Sequence, residues 1–448
     1  MPKTLPFQLD DPSILHESSL LNGEWVSSRS RDTFDVEDPG SRTVFATCPV
    51  NKVEDVDPYV TSSHEAFLKY RHVNPRERAE KLLEWYRLIT NAREDIAKLV
   101  TYETGKPLTE ARGEVDYALG FAWWFAGEAE RIRGSIAIPS VSDRRTFVIK
   151  QPIGVSVALV PWNFPVAMII RKVAAALAAG CSMIVKPSPK TPLSVIALAD
   201  LALKAGFPPG VFNVITTDNA NTPSVTMELG GNCPFIIFND GDLDQAVAAL
   251  MILKWRTAGQ ACTHANRVYV QSGVYDQFAQ KILQATQNLR VSHAAEKLDR
   301  HVADAVAKGG KVLCGGASPS GLGGYFFEPT IISDMTAFML TTNEEIFGPL
   351  LGLYRFETEE EVVEAANNTS MGLASYFFTK DTDRTWRLLE ILEAGMIGMN
   401  TGNASRAESP FGGIKESGYG KKAGKDVAIE EYLIQKTGSL TVGSLSKL

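Results

Sequence analysis

Val155-Ser156-Val157-Ala158-Leu159-Val160-Pro161-Trp162-Asn163-Phe164-Pro165-Val166 passes from a β-branched run, through an aromatic turn bounded by prolines, into an alanine-rich segment. Residues 155–160 read as a strand. Residues 166–179 read as a helix closed by Gly180. The alternation continues with a strand at 183–186, a helix at 194–205 closed by Gly206, and a third strand at 211–215. Such a βαβαβ series implies a parallel sheet with helices on its faces, the usual scaffold for a dinucleotide. Upstream, 76–91 and 111–131 carry apolar residues at three- and four-residue spacing and read as helices. Downstream, a second alternating region runs from Pro234 to Met399, with strands at 235–238, 267–270 and 352–356. Residues 430–443 read as a terminal strand.

The chain has 448 residues, too many for one hydrophobic core, so two or three domains are expected. Its 44% hydrophobic and 22% charged residues are those of an ordinary soluble protein. A net charge of −7 argues against nucleic acid as a partner. No run of about 18 apolar residues suggests a membrane span. Residues 1–19 show neither a basic apolar leader nor an Arg-rich, acid-poor stretch, so a cytoplasmic location is expected. The five scattered cysteines suggest no disulfide framework. Without a Cys-x-x-Cys pair or spaced histidines, no structural zinc is expected.

Six segments carry chemistry. Asn163 sits where the first strand meets the next helix, at the carboxyl edge of a parallel sheet; its amide suits either a developing oxyanion or a helix cap. Lys186-Pro187-Ser188 ends the second strand, where a lysine reaches ribose hydroxyls or phosphate, or simply solvent. Met227-Glu228-Leu229-Gly230-Gly231 places one carboxylate in an apolar run before two glycines: a general base with a raised pKa, or a strand-end glutamate facing water. Gly259-Gln260-Ala261-Cys262-Thr263 sets a cysteine after a glycine turn, whose backbone N–H groups can stabilise a thiolate. Glu344-Glu345-Ile346-Phe347-Gly348-Pro349 and Pro410-Phe411-Gly412-Gly413 are aromatic–glycine turns that serve packing or a ligand.

Taken in order, PWNFP, VKPS, MELGG, GQAC, EEIFGP and PFGG resemble the aldehyde dehydrogenase superfamily, from Asn22-Gly23-Glu24-Trp25 to the C-terminal strand. The succinate-semialdehyde branch is the most similar. The resemblance implies an α/β aldehyde dehydrogenase-like fold: a Rossmann-like dinucleotide-binding domain (1–133 and 146–228), an α/β catalytic domain (229–425) and a β oligomerisation arm (134–145 and 426–448). It implies oxidation of an aldehyde, such as a semialdehyde, to a carboxylic acid with NAD or NADP. Cys262 is then the nucleophile, Asn163 an oxyanion donor and Glu228 the base for thioester hydrolysis. Trp162, Lys186, Ser188, Glu345 and Phe347 are implied for the cofactor, and Arg171, Arg256 and Ser405 for the substrate's remote carboxylate. A surface salt bridge is the alternative for both arginines. A homodimer or homotetramer is implied, with a small-molecule aldehyde as the other partner.

Three departures from the family pattern stand out. Pro189 followed by Lys190 replaces an acid common in NAD-preferring members, which should relax selectivity toward NADP. His264 replaces a second cysteine found in some relatives, so a disulfide with the nucleophile cannot form there. Third, residues 214–217 run almost directly through 218–223 into 225–231, where the family has a further strand and a pyrophosphate-facing helix. A shorter omission falls near 290–298. Loss of that helix N-terminus would weaken dinucleotide binding. The rivals are therefore a cofactor-poor hydrolase built on Cys262 and Glu228, and a non-catalytic binding protein of the same fold.

Overall fold

Strand and helix follow one another much as the periodicity predicts: strand Val155–Leu159, helix Pro165–Ala179, strand Ser182–Lys186, helix Pro192–Lys204, strand Phe212–Val214. This comes from a computed structural model that describes residues 5–442 apart from 142, 220–229, 290, 291, 294–297, 323, 422, 425 and 426. Gly180 closes the first helix in the left-handed region (φ +94°), where a Cβ would meet Arg78 Nη1 at 2.9 Å. The three strands pair in parallel, with Val157 opposite Ile184 and Val185 opposite Val214.

The sheet is completed by an N-terminal hairpin that the sequence reading does not anticipate. Ser19–Leu21 pairs antiparallel with Glu24–Val26, and Leu20 with Val214. Three-residue strands leave too little periodicity to be read. Val155–Leu159 forms the opposite edge of this five-stranded sheet, and its central Val157 is 64% exposed. In a doubly wound sheet the chain reverses beyond the first strand, and the dinucleotide lies in the crevice there. Among the described residues no strand pairs on that side. The shortened 220–229 run, including Glu228, lies outside the described residues, as does most of 290–298.

A second sheet of seven strands contains the strands expected near 235–238, 267–270 and 352–356, observed as Cys233–Ile237, Ala265–Gln271 and Leu350–Phe356. Its neighbours pair in parallel except at Lys311–Cys314 against Thr330–Ser333. A third sheet joins Ser135–Ala137, Arg144–Pro152 and Leu433–Thr441. Because Arg144–Pro152 is continuous, the division drawn at 145/146 falls inside a strand. The C-terminal strand begins later than 430, since Val427–Glu430 is a helical turn. Among the described residues no helix is long and apolar enough to cross a membrane.

Helices Pro75–Asn91, Arg93–Thr104 and Leu108–Ala129 pack beside the first sheet, burying Trp85, Leu99, Phe121 and Phe125. Two of their carboxylates serve other helices. Glu103 accepts hydrogen bonds from Leu193 N and Ser194 N (3.1 Å), closing the start of Pro192–Lys204. Burial pushes the Glu103 carboxyl up to about 8, against those hydrogen bonds, which favour its ionised form. A carboxyl raised above its unfolded value stabilises the fold fully below about pH 4.5 and loses that contribution as pH rises toward 8. Glu103→Gln keeps an acceptor but cannot ionise. Its urea midpoint should therefore fall less between pH 5 and 8 than that of the wild type; parallel slopes would show that the helix N–H groups keep Glu103 ionised.

Candidate active site

The turn that delivers Cys262 is strained, and its neighbours explain how it persists. Helix Leu243–Trp255 gives way to Arg256–Gly259, in which Thr257 and Ala258 both hold left-handed backbone (φ 51°) and Gly259 follows at φ +73°. Non-glycine residues adopt this region only when their surroundings impose it. Glu110, on the Leu108–Ala129 helix, accepts from Thr257 N at 2.6 Å and Thr257 Oγ1 at 3.3 Å. On the other side, a Cβ on Gly259 would lie 2.1 Å from the Gly348 carbonyl oxygen. The glycine thus lets the Glu345–Gly348 turn rest directly on the cysteine loop.

Cys262 emerges half-buried on the wall of a cavity of about 630 Å³. The same cavity is lined by Trp162, Asn163, Arg171, Arg256, Glu345, Phe347 and Ser405. Asn163 is not the cap of the following helix: Phe164 holds the cap position with no side-chain bond. Instead Asn163 Nδ2 donates to Gln260 O at 3.0 Å, two residues before Cys262. The helix start is closed by Glu114, whose Oε1 accepts from Val166 N (2.9 Å) and Ala167 N (3.3 Å). Glu114 is fully buried and paired with the equally buried Lys106, which also donates to Asn163 O at 2.8 Å.

Gly230 and Gly231 let two other groups close in. A Cβ on Gly231 would lie 2.2 Å from Cys262 O, and one on Gly230 2.4 Å from Glu345 Oε2. Glu345 Oε1 accepts from Gly231 N at 3.0 Å. Trp162 and Phe347 meet edge-on with ring centroids 5.9 Å apart, and Lys190 Nζ lies 5.3 Å from the Trp162 ring centre. Lys186 and Ser188 do not line this cavity. Lys186 is buried at the end of its strand, opposite Leu159, and burial holds its pKa below the usual lysine value although Asp218 acts the other way. Ser188 Oγ accepts from Lys190 N at 3.3 Å.

Arg171, on the same cavity, is 3% exposed. Its guanidinium lies 4.1 Å from the Phe411 ring centre and 4.8 Å from that of Phe121. Nη2 donates to Tyr117 OH at 2.7 Å, while Nε and Nη1 are buried with no partner among the described residues. Arg256 lies over Phe164, 5.4 Å from the ring centre. Among the described residues neither arginine is engaged in an ion pair. His264 also lines the cavity; burial, with help from Lys254 and Arg256, drives its pKa down to about 3, so it is neutral at ordinary pH. No cluster that could hold a metal ion occurs among the described residues.

Sequence reasoning missed the buried pair Lys106 and Glu114 behind this wall, and Tyr117 and His264 on it. The first three sit in or beside a segment read only for its apolar periodicity, and nothing local distinguishes them.

The comparisons with known proteins agree with this geometry. The sequence pattern of the aldehyde dehydrogenase family matches residues 25–223 and 218–437, and the chain belongs to that family. The two stretches meet where the sequence runs short. The chain is 43% identical to the 3-sulfolactaldehyde dehydrogenase of Pseudomonas putida, over 95% of this chain and 97% of that protein. It is 41% identical to the NADP(+) succinate-semialdehyde dehydrogenase of Escherichia coli (strain K12), over 95% and 98%. A crystal structure described as an E. coli NADP dependent enzyme superposes with a TM-score of 0.94 at 40% identity, covering 97% of this chain and 100% of that one.

Removing Lys106 should test how the loop is held. Lys106→Met leaves Glu114 buried without its cation, which costs about 3–5 kcal/mol of stability. The urea midpoint and the turnover number should both fall. Adding Glu114→Gln should recover part of the stability, while turnover stays low because Asn163 has lost its anchor. A single variant with the wild-type midpoint would show that the pair is dispensable.

Proposed function

We propose that this enzyme oxidises a semialdehyde, an aldehyde with a remote anionic group, to the corresponding carboxylic acid with NAD⁺ or NADP⁺. The observation that carries the reading is Arg171: a buried cation with two unpartnered nitrogens on the wall of the cavity that Cys262 enters. A guanidinium recognises a carboxylate through paired charge-assisted hydrogen bonds. Arg256 and Ser405, on the same wall, complete an anion-binding end. The names of the two relatives fit: one acts on a carboxylate semialdehyde and the other on a sulfonate-bearing aldehyde.

At the other end, Cys262 attacks the aldehyde carbon as thiolate. Asn163 Nδ2 turns from Gln260 O to the oxyanion and, with the Cys262 N–H, holds it. A bound nicotinamide dinucleotide supplies the hydride acceptor. Glu228 takes a proton from water, which hydrolyses the Cys262 thioester. Glu345, Trp162 and Phe347 are assigned to the nicotinamide end, and Lys186 and Ser188 to the adenosine ribose, on the family resemblance. Lys190, with no acid at position 189, favours tolerance of a 2′-phosphate. Oligomerisation as a homodimer or homotetramer is assigned to the three-stranded arm, on which Ile136 (80%) and Ile138 (71%) are exposed.

The first test is Cys262→Ala, which should abolish aldehyde-dependent absorbance at 340 nm while the fold is kept. Turnover within tenfold of the wild type would rule out Cys262 as the nucleophile.

A second reading, a protein of this fold that binds its cofactor weakly, is favoured by the edge at Val155–Leu159, where no strand pairs among the described residues, and by the exposed Val157. Without a helix N-terminus facing the pyrophosphate, two or three charge-assisted hydrogen bonds of about 1.5–3 kcal/mol each are lost. Calorimetric titration should then show NAD⁺ and NADP⁺ binding more than about a hundredfold weaker than micromolar. Micromolar binding with normal turnover would eliminate this reading.

A further inference from the structure

The cavity wall contains a hydrogen-bond chain that begins at a residue with donors only. Arg171 has only donors. Its Nη2 donates to Tyr117 OH at 2.7 Å, engaging a phenol lone pair. Tyr117 OH is in turn in short contact with Ser405 Oγ. Either hydroxyl can be the donor in this contact; with the phenol oxygen already accepting from the arginine, donation from the phenol to Ser405 Oγ completes the chain. The serine's own proton is then left to donate outward, and Ser405 lines the cavity. Each bond polarises the next, so the charge of the buried guanidinium is relayed to the serine hydroxyl.

The members are held in place independently of any ligand. Arg171 lies against Phe411 and Phe121, and the Tyr117 ring meets Phe121 edge-on with centroids 5.0 Å apart and an interplanar angle of 80°. Tyr117 belongs to the Leu108–Ala129 helix, Arg171 to Pro165–Ala179, and Ser405 to the segment after Met396–Met399. The phenol is thus the bridge between a buried cation on one helix and a hydroxyl on a distant loop.

We propose that Tyr117 is a positioning and specificity-determining residue. It imposes donor polarity on Ser405, so this end of the cavity selects substrates that terminate in acceptor-only oxygens, as carboxylates and sulfonates do. The inference rests on the semialdehyde reading above. It goes further in assigning selectivity to a residue that touches the arginine and serine rather than to the arginines alone. Tyr117→Phe removes one oxygen atom and keeps the ring that packs on Phe121.

The experiment compares steady-state KM and kcat for succinate semialdehyde and for butanal in the wild type, Tyr117→Phe and Ser405→Ala. The wild type should prefer the charged aldehyde through KM. In Tyr117→Phe that preference should shrink about tenfold, through the KM of succinate semialdehyde and with a smaller change in kcat. Ser405→Ala interrupts the relay from the loop side and should produce the same shrinkage, and the double variant little more. A wild-type preference that Tyr117→Phe leaves within twofold overturns the relay alone. A wild type with no preference overturns the anion-site reading and the relay with it. If Tyr117→Phe melts far below the wild type, the decision passes to Ser405→Ala, whose unaltered preference likewise overturns the proposal.

Discussion

A buried lysine and a buried glutamate, Lys106 and Glu114, hold the centre of this molecule together. Both side chains are almost wholly removed from water (1% and 0% exposed), and such a pair is tolerated only when its remaining donors and acceptors are also satisfied. Here that satisfaction does structural work in two directions. Glu114 closes the N-terminus of Pro165–Ala179, where the helix dipole favours a negative charge. Lys106 seizes the Asn163 carbonyl and lies 4.3 Å from the Phe164 ring centre. The aromatic turn between strand and helix is thereby fixed from below, and with it the direction of the Asn163 amide, the seat of Trp162 and the wall that Arg256 covers.

The two ends of the cavity use opposite electrostatics. Arg171 keeps two buried nitrogens without a partner among the described residues, cushioned by aromatic faces instead of carboxylates. Near Cys262, Glu345 accepts from the Gly231 N–H, and His264 is neutral, so the imidazole adds no cation beside the thiol.

Much of this was legible in the sequence. The parallel βαβαβ unit follows from β-branched runs alternating with alanine-rich segments, each closed by glycine. The Gly-Gln-Ala-Cys turn announces itself because glycine is needed where Gly348 approaches. Asn163 could be placed at the sheet edge but not assigned between cap and amide donor, because the competing cap, Glu114, lies far away in sequence. The same holds for Tyr117, which meets Ser405 across nearly three hundred positions. Periodicity marks it as one more residue on a buried helix face. Arg171 looked functional only through family resemblance, since an arginine inside an apolar helix carries no local sign of an unmatched charge. The N-terminal hairpin was lost for a different reason: its strands are shorter than the period that would reveal them.

The turn at Thr257 and Ala258 has a consequence for how this enzyme ages. Two successive non-glycine residues in left-handed backbone store on the order of 1–3 kcal/mol each, held in check by Glu110 and the packed Gly348 turn. Any local loosening of those restraints lets the turn relax toward ordinary backbone, and relaxation moves Cys262 away from Asn163 without unfolding either sheet. With Cys262 as the proposed nucleophile, heat or mild denaturant is expected to inactivate before it melts, and a durable variant is one whose Cys262 loop, not whose core, has been reinforced.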